Sequence, residues 1–199
     1  MIKKLRSVLS VEQEREVQKM HKENTLFYNK PDDSSRLQKE MDTYDLLNKL
    51  NIQFAGIDHP EAKTIQDLGN TESLLGVSIA KNLFLCNSSK KDFYLLVMPG
   101  DKKFLTKDLS KQIGSSRLSF ADGTYMEEFL NIAPGSLSIM GLMFDEKHKV
   151  KLVIDKDVLE SEYLGCHPCV NTTSLKIKTS DITNIFLPYT GHEHVIVEL

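Results

Sequence analysis

Apolar positions in this chain fall in short clusters rather than long stripes. After Met41, the residues Tyr44, Leu47 and Leu50 recur at three-residue intervals, the spacing of one helical face, and Ile52–Ile57 reads as the strand that follows. Two β-rich runs come next, Asn82–Cys86 and Phe93–Met98. The turn-forming Asn87-Ser88-Ser89-Lys90-Lys91 between them predicts an antiparallel hairpin. A short Lys103–Leu105 strand leads to a helix capped by Thr106 and closed by Gly114, and Asp122–Ile132 forms another helix, ended by Pro134-Gly135. Val150–Ile154 reads as an alternating strand and Leu175–Ile177 as another; Ser180-Asp181 opens a helix to Phe186, and Val195–Leu199 closes the chain as a strand. Helices and strands interleave without a βαβ period, which predicts an α+β fold on a mixed sheet.

The first forty residues have a different texture. Ser10-Val11-Glu12-Gln13 has capping-box spacing and Val11–Glu23 is dense in helix formers, which predicts a charged helix with a thin apolar stripe. Asn29 to Ser35 is a polar breaker cluster, read as a turn or linker. We therefore divide the chain into a charged helical N-terminal extension, residues 1–40, and one compact domain, residues 41–199. The full 199 residues exceed the roughly 150-residue domain prior by about a third, which fits that division.

Composition narrows the class. At 40% hydrophobic and 27% charged, the chain is neither mainly disordered nor fibrous. Its longest apolar run lies within Phe93–Met98, far short of the roughly 20 residues that cross a bilayer, and the basic start is not followed by a secretory apolar stretch. A cytoplasmic protein without membrane contact is expected. Three cysteines argue against a disulfide framework. The formal charge of −3 is unevenly spread: from Lys81 to Arg117, eight cations face three anions. Such a segment reads either as a solvated surface or as a phosphate-facing patch on an acidic body.

No phosphate-cradling glycine loop, nucleophile elbow or paired-histidine zinc motif is present in the sequence. Three constellations carry chemistry instead. Cys166-His167-Pro168-Cys169 has dithiol spacing but lacks the helix N-terminus that would lower a thiol pKa, and its three ligands fall short of a structural zinc set. His167 could donate to a substrate carbonyl, orient water or satisfy a backbone carbonyl. Ala133-Pro134-Gly135-Ser136-Leu137-Ser138 is a loop whose backbone N–H groups could face an oxyanion, or simply cap a helix. Ala80-Lys81-Asn82 sets a lysine at the mouth of a buried strand, where it could hold a phosphate or carboxylate.

Taken in order, Ile57-Asp58-His59-Pro60, Lys81-Asn82-Leu83-Phe84-Leu85, Asp92-Phe93-Tyr94-Leu95-Leu96, Arg117-Leu118-Ser119-Phe120-Ala121, the Ala133–Ser138 loop, Cys166-His167-Pro168 and Asn171-Thr172-Thr173 resemble the prolyl-tRNA editing domains, both inserted and free-standing. The resemblance covers about Met41 to Leu199 and is nearest to the free-standing alanyl-tRNA(Pro) deacylases and prolyl-tRNA synthetase-associated proteins. It implies a largely antiparallel, partly barrel-like sheet packed with helices. It also implies an ester hydrolase that needs no metal or cofactor and acts on the acceptor end of tRNA(Pro), with prolyl-tRNA synthetase as a further partner.

By the same resemblance Lys81, Asn82, Gly135 and His167 carry catalysis, and Phe120, Ser136, Leu137, Ser138, Ile139, Cys166, Asn171 and Thr172 bind substrate. Ile139 departs from the family's Gly-x-x-x-Pro loop, which keeps Cys-tRNA(Pro) beside Ala-tRNA(Pro) as a substrate and keeps a non-catalytic tRNA-binding or synthetase-associated module as the rival reading. The distant stretches are expected to wall one small cavity sized for a methyl side chain.

Overall fold

The computed structural model describes residues 25–62 and 64–199; the helix expected over Val11–Glu23 lies outside the described residues. Two open sheets form the frame. The first has the order β1-β2-β8-β7, from β1 (Leu26–Phe27), β2 (Phe54–Asp58), β8 (Thr173–Lys178) and β7 (Tyr163–Cys166), with antiparallel neighbours throughout. The second has the order β5-β3-β4-β6-β9. Here β3 (Lys81–Asn87) pairs antiparallel with β4 (Phe93–Met98) and β5 (Leu118–Phe120), while β6 (Val150–Asp155) runs parallel to both β4 and β9 (His194–Val197). The α+β class and the hairpin are as expected. The barrel-like closure is not found, because each sheet keeps its own edges.

Alternation along β4 builds two cores at once. Phe93, Leu95 and Val97 join the larger apolar cluster, while Tyr94, Leu96 and Met98 join a second one with Leu109 of α3 (Thr106–Gln112). β6, flanked by strands on both sides, is buried from Leu152 to Asp155, so the expected alternation of polar and apolar positions is absent there. α1 (Gln38–Lys49) packs Tyr44 and Leu47 on one face of the first sheet. α2 (Thr71–Leu75) lies toward its other face, where Ile57, Leu75 and Ile79 form a third cluster.

Several boundaries differ from the sequence reading. Residues 103–105 form no strand; Leu105 precedes α3 in extended conformation, and Thr106 is the first helical residue rather than its cap. The helix expected over Asp122–Ile132 is α4 (Gly123–Leu130). Asp122 caps it by accepting the Thr124 N–H at 2.9 Å, and Asn131, in the left-handed conformation, ends it before Pro134 is reached. The segment Ile139–Phe144, to which the sequence reading assigned no element, is a 3-10 helix whose residues 139–142 are buried. After β6 a short α5 (Lys156–Glu160) leads to β7, and residues 179–190 are helical with a π turn at Ile182–Phe186.

Candidate functional site

Three segments distant in sequence are tied together by backbone contacts. Ile79 bridges Gly165 in parallel and the Ala80 N–H donates to the Gly165 carbonyl at 2.9 Å. Only glycine permits this approach, since a Cβ at Gly165 would stand 2.5 Å from the Ser78 carbonyl oxygen. The contact brings the start of β3 to the end of β7, just before His167. Ser138 completes the tie: its hydroxyl donates to the His167 carbonyl and accepts the Met140 N–H at 3.2 Å.

The result is one cleft of about 470 Å³, lined by Lys81, Asn82, Phe120, Gly135, Leu137 and His167 together with Thr64, Gln66, Ile79, Phe84 and Met126. That volume falls in the ~300–1,000 Å³ range of small-molecule sites and corrects the expectation of a cavity sized for a methyl group alone.

Each wall residue has a defined chemistry. Lys81 Nζ donates to the Lys102 carbonyl at 2.7 Å, and among the described residues no carboxylate stands within ion-pair distance of it. Lys102 itself faces the other way, paired with Asp155 and Asp157 at 2.8 Å each, so it drops out of the basic segment as a phosphate contact. Asn82 Nδ2 donates to the Ala80 carbonyl at 3.1 Å, which fixes the amide, while its buried Oδ1 has no hydrogen-bond partner among the described residues. The half-buried ring of His167 is anchored with Nδ1 2.8 Å from the Thr173 carbonyl. Burial pushes its pKa down to about 4, against the opposing pull of that carbonyl, so the ring is neutral at pH 7. A carbonyl only accepts; Nδ1 therefore carries the hydrogen and Nε2 the lone pair.

Gly135 lies at φ +92°, where a side chain would be strained, in a turn closed by the Ser136 N–H donating to the Ala133 carbonyl at 3.1 Å. The Ser136 N–H is thus spent and is no oxyanion donor. Phe120 projects at the rim, 65% exposed, with its ring edge-on to Phe104 at 6.3 Å.

Other residues expected at the substrate stand behind it. Ser136, Ser138, Ile139 and Cys166 are buried and absent from the cleft lining; they build the wall. Burial pushes the Cys166 and Cys169 thiols up to about 12 each, the reverse of a reactive dithiol, which removes the redox reading. Asn171 stands next to Gly135, and a Cβ there would be 3.7 Å from its Nδ2; Asn171 Nδ2 also donates to Glu61 Oε1 at 3.3 Å. The Thr172 carbonyl accepts the His59 N–H at 3.0 Å, and this residue lines a separate pocket beside Arg36 and Glu40.

That pocket borders a buried ionic cluster the sequence reading did not find. Arg36 pairs with Glu40 and Asp58, Tyr44 Oη donates to Glu40 Oε1 at 2.9 Å, and Thr173 Oγ1 donates to Asp58 Oδ1 at 2.8 Å. Burial alone would lower the Arg36 pKa, but its two carboxylate partners raise it overall. The sequence reading also missed Thr64, Gln66, Ile79 and Met126 on the cleft wall, none of which has a local signature.

Comparison with known proteins places the chain in a family. The chain is 30% identical over 139 residues to the Prolyl-tRNA editing protein ProX of Acetoanaerobium sticklandii, covering 70% of this chain and 85% of that protein. It is 34% identical over 155 residues to the Prolyl-tRNA synthetase associated domain-containing protein 1 of Mus musculus, covering 76% and 90%. In fold it is similar to a solved structure assigned as a trans-editing enzyme for prolyl-tRNA synthetase, with a TM-score of 0.61 at 13% identity over 82% of this chain and 99% of that one. The family profile of the aminoacyl-tRNA editing domain matches residues 59–185, and the chain belongs to that family.

Proposed function

We propose that this protein is a trans-editing hydrolase that deacylates mischarged tRNA(Pro), Ala-tRNA(Pro) foremost, by cleaving the 3′ aminoacyl ester. The observation that carries the reading is the convergence of Lys81, Asn82, Gly135 and His167 on a single cleft. An aminoacyl ester is already activated, so a positioned water and stabilisation of the oxyanion suffice, with no metal or cofactor required by the chemistry.

In this reading His167 Nε2 accepts a proton from the attacking water as its oxygen bonds to the ester carbonyl carbon. The proton passes to the departing ribose 3′-oxygen as the C–O bond breaks. Free amino acid and tRNA with its 3′-hydroxyl are the products. The Lys81 ammonium, with no carboxylate partner among the described residues, holds the substrate and offsets charge on the tetrahedral intermediate. Asn82, its amide fixed by the Ala80 carbonyl, lines the cleft beside Lys81 and shapes the space for the aminoacyl group. The resemblance to the family further implies help from the substrate's own vicinal ribose hydroxyl.

Phe120 at the rim and the exposed Lys103, Lys107 and Arg117 would meet the unpaired acceptor end, by stacking and by phosphate contact respectively. Association with prolyl-tRNA synthetase would deliver the substrate. The test is a deacylation panel of Ala-tRNA(Pro), Cys-tRNA(Pro) and Pro-tRNA(Pro) with the wild type and Lys81→Ala. Hydrolysis of Ala-tRNA(Pro), lost in Lys81→Ala, is expected. Faster turnover of Cys-tRNA(Pro) would reassign the substrate, and no hydrolysis above the protein-free rate would leave a binding module.

A further inference from the structure

His59 and His167 stand on either side of Ser174, their ring centroids 5.9 Å apart. Ser174 is fully buried on β8, opposite Ile57 of β2, and His59, just past the end of β2, is 5% exposed. His59 Nδ1 lies 2.8 Å from the Pro60 carbonyl and His167 Nδ1 lies 2.8 Å from the Thr173 carbonyl. Carbonyl oxygens only accept, so each ring carries a hydrogen on Nδ1. In the Nδ1–H tautomer His59 turns Nε2 as an acceptor toward Ser174 Oγ at 3.0 Å, and that oxygen stands 3.5 Å from His167 Nδ1.

The direction of every bond follows. The Ser174 hydroxyl donates to His59 Nε2, which turns an oxygen lone pair toward the His167 Nδ1–H. Were the hydroxyl to donate to His167 Nδ1 instead, His167 would become the Nε2–H tautomer and its bare Nδ1 would face the Thr173 carbonyl lone pairs at 2.8 Å. By drawing the Ser174 hydrogen away, His59 blocks that alternative.

We propose that His59 and Ser174 are positioning residues for the hydrolytic site, locking His167 in the tautomer whose Nε2 lone pair can take the proton of water. The kinetic consequence rests on the deacylase reading above; the tautomer assignment does not.

Long-range 1H–15N spectra of the wild type at pH 7 should show His167 as the Nδ1–H tautomer. His59→Leu should transfer part of the population to Nε2–H, whereas Ser174→Ala, which removes the hydroxyl that could donate to His167 Nδ1, should keep the Nδ1–H tautomer held by the Thr173 carbonyl. On Ala-tRNA(Pro), His59→Leu is expected to lower kcat about tenfold with KM within about twofold, and adding Ser174→Ala should recover most of that loss, because it removes the misdirected hydroxyl. His59→Gln, which returns an acceptor near the Nε2 position, should keep at least half of the wild-type kcat. A wild-type His167 found as Nε2–H, unchanged kcat in folded His59→Leu, or a double variant as slow as His59→Leu would overturn the proposal. If the wild type hydrolyses no mischarged tRNA, the deacylase reading falls, and the tautomer spectrum alone still decides the relay.

Discussion

The N–H of Ala80 donates to the carbonyl of Gly165 at 2.9 Å, and this bond, with the Ile79–Gly165 bridge, holds the segment leading to Lys81 against the strand leading to His167. Because a Cβ at Gly165 would lie 2.5 Å from the Ser78 carbonyl, Gly165→Ala must push the two backbones apart. Overpacking against rigid backbone costs about 1–3 kcal/mol. We expect a lower Tm, together with a kcat loss larger than that of an equally destabilising core substitution such as Val150→Ala, since Val150 lies in the core away from the cleft lining. Matched melting curves and single-turnover deacylation check this; a Gly165→Ala protein with wild-type turnover would disprove the coupling.

Arg36 joins α1 to the first sheet through Glu40 and Asp58, with side-chain exposures of 8%, 4% and 15% respectively. Arg36→Leu leaves two carboxylates without their cation, a loss that typically costs about 3–5 kcal/mol in buried pairs. Urea unfolding should show a drop of that size, and Arg36→Leu combined with Asp58→Asn should recover part of it. A loss below about 1 kcal/mol would mean the cluster contributes little.

What the sequence made legible, and what it hid, divides along local and tertiary lines. The β3–β4 hairpin could be read because both strands are continuous apolar runs around a turn-forming cluster, a signal contained within about twenty residues. The cleft residues Lys81, Gly135 and His167 were each legible as part of a local constellation, and their grouping into one site came only through resemblance to a family. Arg36 lies just past the Asn29–Ser35 cluster read as linker and was not singled out, because its partners Glu40 and Asp58 become visible only once β2 and α1 are packed. The two-residue β1 likewise exists through pairing with Gly56 and Ile57 and has no periodicity of its own. The 3-10 helix at Ile139–Phe144 is apolar throughout, so no polar face betrayed its period. His59 belonged to a quoted motif, yet its link to His167 runs through a serine more than a hundred residues away in sequence.

Phe120 is 65% exposed at the cleft rim, supported by Phe104 at 6.3 Å, so its removal disturbs little of the core. Base stacking on an aromatic ring is worth about 1–3 kcal/mol per base. Phe120→Ala should therefore raise KM for Ala-tRNA(Pro) by about tenfold while Tm and kcat stay close to wild type. Phe120→Trp should restore binding. A change in kcat with KM constant would assign Phe120 to the chemical step and refute the rim role.

The depressed pKa of His167 makes an acid-side prediction with a definite sign. Burial holds the folded ring's pKa at about 4, below its unfolded value of 6.5. Above pH 6.5 neither state is protonated and the ring contributes no pH dependence. As pH falls from 6.5 to 4 the unfolded chain binds a proton that the folded ring resists, so stability is lost across that window. At 1.36 kcal/mol per pKa unit the loss has an upper bound of about 3 kcal/mol, reduced in practice because the ring is open to water on the cleft side. The difference in unfolding free energy between wild type and His167→Gln should therefore shrink or reverse between pH 7 and pH 4.5. A difference that is flat across this range would show that His167 titrates normally and is open to protonation in the folded site.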